Sequence, residues 1–160
     1  VRSGARLFVA GHDPERDGRL AYRGRMGRSV SIEDTARALR LATQNALAAA
    51  RASVGSLEHL RCVLLVGFVV SATSDDLAPA LFADSLALLA AVLPTGDPPA
   101  ACLRSAQSLA GGMPVEVELV LEARRRAVRQ PLALTDRARP LRKGGRAAAR
   151  APRRSAARTS

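Results

Sequence analysis

Three glutamates on one side of a single stretch are the first residues in this chain placed to do chemistry. In residues 111–122, GGMPVEVELVLE, Val115, Val117, Leu119 and Leu121 alternate with Glu116, Glu118, Val120 and Glu122. A period of two predicts a strand that turns one set of side chains to a core and the other away from it. Like charges along one side of a strand repel unless solvent, a cation or a partner subunit relieves them. One of these glutamates is therefore the first site candidate, and the competing reading is a solvated face, which suits Glu118 and Glu122 best.

Other chemistries find less support in the residue spacing. His12 and His59 stand apart, with no further Cys or His close by, so no metal-ligand spacing exists and no metal is expected. Ser105 has no histidine near it in sequence, and two histidines in the whole chain make a triad a poor reading. Gly111-Gly112 precedes a strand and not a helix, which makes it a turn instead of a phosphate loop. Cys62 and Cys102, the only cysteines, lie in apolar surroundings and read as two buried free thiols.

The elements that must hold these residues can be read in order. Residues 6–11 (RLFVAG) and 19–25 (RLAYRGR) suggest a β-hairpin with a long loop carrying His12-Asp13-Pro14 and Asp17-Gly18. Ser31, followed by Glu33 and Asp34, marks a helix start; the dipole favours those acids in the first turn. An apolar stripe of Ile32, Ala36, Leu39, Ala42, Ala46 and Ala50 carries that helix to about Val54, where Gly55 stops it. Residues 60–72 are too continuously apolar for a half-exposed strand, so a central strand is expected, covered on one face by another subunit.

TSDD at residues 73–76 is a second helix start, and Phe82, Leu86, Leu89 and Leu93 continue it until Pro94 and Gly96. Pro79 is acceptable there only within the first turn or just before it. Residues 102–109 read as a strand that turns at 110–112 into the glutamate strand. The order strand, strand, helix, strand, helix, strand, strand predicts an α+β fold with two helices packed on one face of a mixed sheet.

The composition fits one such domain: 48% of residues are hydrophobic and only 2% aromatic, so Leu, Val and Ala must build the core. The net charge of +11 is unevenly placed. Residues 124–160 hold thirteen Arg and Lys against one acid, whereas residues 1–123 hold twelve basic and thirteen acidic residues. We therefore divide the chain into a nearly neutral domain, 1–123, and an Arg/Ala/Pro-rich tail, 124–160, expected to be disordered because it buries too little to offset its ordering entropy. Weak, salt-sensitive binding of nucleic acid by that tail is the most such a segment offers, since aromatics for base stacking are missing. The apolar run 62–72 is too short to cross a bilayer and no leader-like start is seen, so a cytoplasmic protein without membrane association is expected.

The hairpin LFVAGHDP to AYRGRMGRSVSIED, the helix ARALRLATQNALAAARASVGSLEHL, the strand RCVLLVGFVVSA, and RSAQSLAGGMPVEVELVLE together resemble the RidA/YjgF family, also labelled reactive intermediate deaminase or endoribonuclease L-PSP. The similarity spans residues 6–122 and leans to a less characterised branch with a similar GHGP element and GRVGR before the first helix. It implies a chorismate-mutase-like α+β sandwich, assembled as a homotrimer with small-molecule clefts between subunits. It also implies that an arginine on the strand before VEVE grips a substrate carboxylate through a bidentate pair, and that the first glutamate of VEVE positions a water that hydrolyses an imine to a keto acid and ammonia, with no cofactor.

Carried onto this chain, the resemblance makes Glu116 the water-positioning acid. Two alignments are open for the arginine: without a gap Ala101 takes its place, and a gap of three residues brings Arg104-Ser105-Ala106 onto the family's RSA motif. The gapped alignment is preferred, because the missing residues fall in the Gly111-Gly112 turn, where shortening leaves the strand faces unchanged. Arg25 and Arg28 lie where the family's cleft forms and are the further substrate-binding candidates. The implied function is hydrolysis of a 2-aminoacrylate-type enamine or imine. The alternatives are a non-catalytic trimeric binding module and an RNA-associated protein.

Overall fold

The computed structural model describes residues 1–72, 78–93 and 96–124. Its strands are β1 (Arg2–Ser3), β2 (Arg6–His12), β3 (Glu15–Arg16), β4 (Arg19–Leu20), β5 (Leu60–Val70), β6 (Ala100–Ala106) and β7 (Val115–Ala123), with helices α1 (Ile32–Val54) and α2 (Ala78–Val92). Five strands form one sheet in the order β1-β2-β7-β5-β6. Only β5 and β6 run parallel; every other pair in the sheet is antiparallel. The expected α+β architecture, two helices on a mixed sheet, is thus present.

The glutamate strand β7 is the middle of the sheet. Val115, Val117, Leu119 and Leu121 are fully buried in one core with Leu39, Ala42 and Ala46 of α1, while Glu116, Glu118, Val120 and Glu122 are half-buried on the far side. Helix α1 begins where the sequence places it: the Ser31 hydroxyl accepts from Asp34 N–H at 3.0 Å, and Gly55, at φ 82°, ends the helix. Its buried face is broader than the expected stripe. Thr35, Ala38, Thr43 and Leu47 are also buried, and Ile32 is 45% exposed at the first turn. The threonines are tolerated inside because each hydroxyl donates to the carbonyl four residues back, Thr35 to Ser31 and Thr43 to Leu39.

Strand β5 is an inner strand, and Leu65, Gly67 and Val69 face the helices. At Gly67 a Cβ would meet the Phe82 ring at 2.9 Å and Leu39 Cδ2 at 3.2 Å, so the glycine is what lets both helices close on the sheet. Helix α2 packs Leu81, Phe82, Ser85 and Leu89 inward, with Pro79 in its first turn as expected. The start expected at residues 73–76 and the stop at Pro94 lie outside the described residues, as does the tail from residue 125.

Two pairings differ from expectation. Residues 6–11 do not form a hairpin with 19–25. Instead β2 pairs with β7, and the hairpin is a two-residue ladder, Glu15-Arg16 against Arg19-Leu20, closed by Asp17 (φ 53°) and Gly18 (φ 72°). Two successive positive φ values make a turn whose twist suits a tight hairpin, so the expected turn is present but joins different strands. Nor do β6 and β7 form a hairpin: both flank β5, and residues 107–114, including a 3₁₀ turn at Ala110–Gly112, carry the chain past the end of β5. Both differences follow from burial, since the strand most alternately apolar takes the central place.

Candidate active site

The outward face of the sheet is organised in rows. Residues paired across neighbouring strands point the same way, so the register gives the rows directly. At one end Arg6, Glu122 and Arg61 align, and Glu122 accepts from Arg61 Nη2 at 2.6 Å and Nε at 3.0 Å, with Arg6 Nε 3.7 Å away. Arg61's hydrogen bond first, and then its charge, holds the Glu122 carboxyl below the usual glutamate range. Next comes an apolar row, Phe8, Val120, Leu64 and Ala100, then Glu118, Val66 and Cys102. Last is Glu116, Phe68 and Arg104.

The register puts the two candidates for the arginine position on different faces. Arg104 and Glu116 both pair with Phe68, from opposite sides, and so share one face. Ala101 pairs with Leu65, which is fully buried, and so belongs to the other face. With adjacent strands about 4.8 Å apart, the backbones of Arg104 and Glu116 are about 10 Å apart across Phe68. Their side chains can bracket a small molecule lying on the Phe68 ring. Among the described residues Arg104 makes no side-chain hydrogen bond or ion pair, and it is exposed.

Glu116 sits in a different setting from the other two strand acids. Partial burial pushes its carboxyl above the ordinary glutamate range, the nearby charges of Glu118 and Asp13 push the same way, and His12 pulls back. A carboxyl raised in this way holds its proton more firmly than an exposed glutamate, a direction that suits a proton-transferring group. His12 and Asp13 were not singled out beside Glu116 by sequence, because they flank it only through the β2–β7 pairing. The signal that could have found them is the break in alternation at Gly11, which marks a bulge.

Arg25 and Arg28 occupy a groove of about 340 Å³ at the same end of the sheet, walled also by Ser29, Gln107 and Ser108; Arg104 and Glu116 are not among its walls. Arg25 donates from Nη1 to the Ser71 carbonyl (3.3 Å) and from Nη2 to the Gln107 carbonyl (3.0 Å). It therefore pins the loop that follows Arg104, and Arg28, exposed, is the outward cation of the groove. The turn at Gly111-Gly112 is fixed in place from the same side: Arg23 Nη1 donates to Gly111 O at 2.7 Å, and Gly24 N donates to Gly112 O at 2.8 Å.

Cys62 and Cys102 are free thiols, but only Cys62 is buried, and burial pushes it up to about 11; Cys102 is half-exposed on the outward face. The expectation of two buried thiols thus holds for one, since β6 is an edge strand and its outward residues lack cover. Among the described residues no group of three or more His, Cys, Asp or Glu side chains is arranged to hold a metal ion, and no helix is long and apolar enough to cross a membrane.

No protein-family model matches the chain, and no curated protein does. Solved structures do. A protein of unknown function from Agrobacterium tumefaciens is 29% identical, with a TM-score of 0.67 over 77% of this chain and 79% of that one. A Shewanella oneidensis protein, provisionally assigned as an endoribonuclease, is 23% identical with a TM-score of 0.71, over 76% and 82% of the two chains. RidA from an Antarctic Psychrobacter is 18% identical with a TM-score of 0.52, over 76% and 84%. The class is therefore that of α+β proteins with two helices on a mixed sheet and an open outer face. More narrowly, this chain has the fold of the RidA/YjgF proteins, and the resemblance carried by its sequence motifs holds at that level.

Proposed function

We propose that this protein hydrolyses a small enamine or imine of the 2-aminoacrylate type to a keto acid and ammonia. The observation that carries this reading is the row Arg104–Phe68–Glu116, which puts a cation and a proton-accepting carboxyl on one face with a ring between them. The Arg104 guanidinium takes the substrate carboxylate through two parallel hydrogen bonds. The substrate in its imine form lies over Phe68, and Glu116 orients a water toward the imine carbon. That water's oxygen adds to the carbon while Glu116 accepts its proton and returns it to nitrogen. Glu116 then takes the proton of the new hydroxyl and passes it to the amine, so that the C–N bond breaks, ammonia leaves and the C=O of the keto acid forms. A carboxyl held above its ordinary range suits both halves of that exchange.

In this reading the face is closed by further copies of the chain, as a homotrimer, with a site at each junction. The exposed apolar row supports it: Phe8 is 42% exposed, and Val120 and Leu64 beside it are only half-buried. The test measures 2-aminoacrylate loss and ammonia release against a no-enzyme control. Acceleration is expected, with Arg104→Ala abolishing it and Glu116→Gln slowing it by about 10²-fold or more. An assembled protein that gives no acceleration sinks the deaminase.

Under the gapped alignment the turn before Glu116 is three residues shorter than the family's, and that favours a second reading, in which the face binds a small carboxylate without turning it over. That version predicts a ligand-dependent rise in melting temperature in the absence of turnover. The Shewanella relative's provisional endoribonuclease assignment suggests RNA as a third possible ligand, and steep salt dependence of RNA retention would mark it.

A further inference from the structure

We propose that Gly11 is a positioning residue for Glu116: the bulge in β2 turns a bare Cα under the carboxyl, and that seat aims the carboxyl along the face it shares with Arg104. The bulge is set by register. Val9 pairs with Leu119 and His12 with Val117, so two residues of β2, Ala10 and Gly11, stand opposite Glu118 alone. Bulges of this kind re-aim the side chains beside them.

A Cβ built on Gly11 would lie 2.8 Å from Glu116 Oε1, 3.1 Å from its Cδ and 3.7 Å from its Cγ, and these are the three nearest atoms to that position. The carboxyl therefore occupies the space that a side chain at residue 11 would need. Gly11 is not among the positive-φ residues, so backbone conformation does not require glycine here; what a Cβ would meet is the end of the Glu116 side chain, which would have to turn aside.

The seat itself is anchored from the helix layer. Asn45 of α1 donates from Nδ2 to the carbonyls of Asp13 (2.9 Å) and Glu15 (3.0 Å), Ala21 N donates to Pro14 O (2.9 Å), and the Pro14 side chain is fully buried. Because the segment after the bulge is tied down, a methyl at Gly11 moves Glu116 and not the strand. The groups facing the carboxyl stay where they are: His12 and Asp13 from the bulged segment, Glu118 from β7.

This inference rests on the reading of Glu116 as the working carboxyl, and its test separates the two. In Gly11→Ala the ¹³C resonance of the Glu116 carboxyl, assigned with Glu116→Gln, is expected to titrate lower than in the parent, as the displaced group gains water. Turnover of 2-aminoacrylate is expected to fall about tenfold or more in kcat, with little change in KM. The melting-temperature loss caused by Gly11→Ala is expected to disappear when Glu116 is also alanine, because the colliding group is gone. An unchanged Glu116 titration, or the same loss of stability in the Glu116→Ala background, overturns the proposal. A variant that folds only in that background supports it. A parent without turnover counts against the deaminase alone, since titration and the stability cycle still decide the role of Gly11.

Discussion

At the residue scale, Glu116 and Glu122 stand on the same strand face and respond oppositely to pH. Glu116 is raised in the fold, mainly by burial, so its stabilising contribution is present below the ordinary glutamate value and lost as pH rises through its folded value. Glu116→Gln removes that loss, and its melting temperature should exceed the parent's at neutral pH, with the gap closing in acid. Glu122 is lowered, chiefly by Arg61, so its contribution is present above the ordinary value and lost as pH falls through the folded one. Glu122→Gln should therefore melt below the parent at neutral pH, again converging in acid. Thermal melts of both variants from acid to neutral pH check the pair, and two curves of the same sign would refute the contrast. The sequence showed three acids on one face, and the neighbours that set them apart, Gly11, His12, Asp13 and Arg61, come from segments distant in the chain. Local periodicity names a face but not its neighbours.

At the element scale, α1 and α2 meet through small and polar contacts as well as leucines. The buried Thr43 hydroxyl, already donating to Leu39 O, shares a hydrogen bond with the buried Ser85 Oγ at 3.2 Å. Removing one partner leaves the other short of a bond inside the core, so Ser85→Ala should cost about 1–3 kcal/mol. In Thr43→Val/Ser85→Ala the losses should fall short of additive, as denaturant unfolding would show. Gly67→Ala drives a methyl into the Phe82 ring and Leu39, an overpacking expected to cost about 1–3 kcal/mol by the same assay. Helix α1 was legible to the residue because caps are local, with Ser31 and Gly55 carrying both ends. Its buried threonines were not, since the partner Ser85 lies on another helix. The same limit explains the misplaced hairpins: a glycine turn announces a reversal, while the identity of the paired strands depends on which runs are buried deepest.

At the scale of the whole molecule, the helices cover one side of the sheet and leave the other to the solvent or to further copies of the chain. The apolar row Phe8–Val120–Leu64–Ala100 divides the Arg6–Glu122–Arg61 cluster from the row of Arg104 and Glu116. Val120→Arg places a charge in the middle of that apolar row without touching the core. If the proposed trimer forms through this face, light scattering should report three chains for the parent and one, 16.8 kDa, for the variant, with the proposed turnover lost alongside. A variant that keeps both the trimer mass and activity would exclude this face as the interface.

The central place of β7 also fixes when the molecule can come into being. Strand β2 leaves the ribosome early, yet its long partner is β7, the last strand of the sheet to be made. Until residue 123 has emerged, β2 and β5 have no strand to join them, and the apolar sides of both helices have only a partial floor. Synthesis can lay down helical turns one after another, but the sheet closes in a single late event that joins chain segments more than a hundred residues apart. The face bearing Arg104 and Glu116 is completed by that same insertion, so a partly made chain holds no early, half-built version of the site.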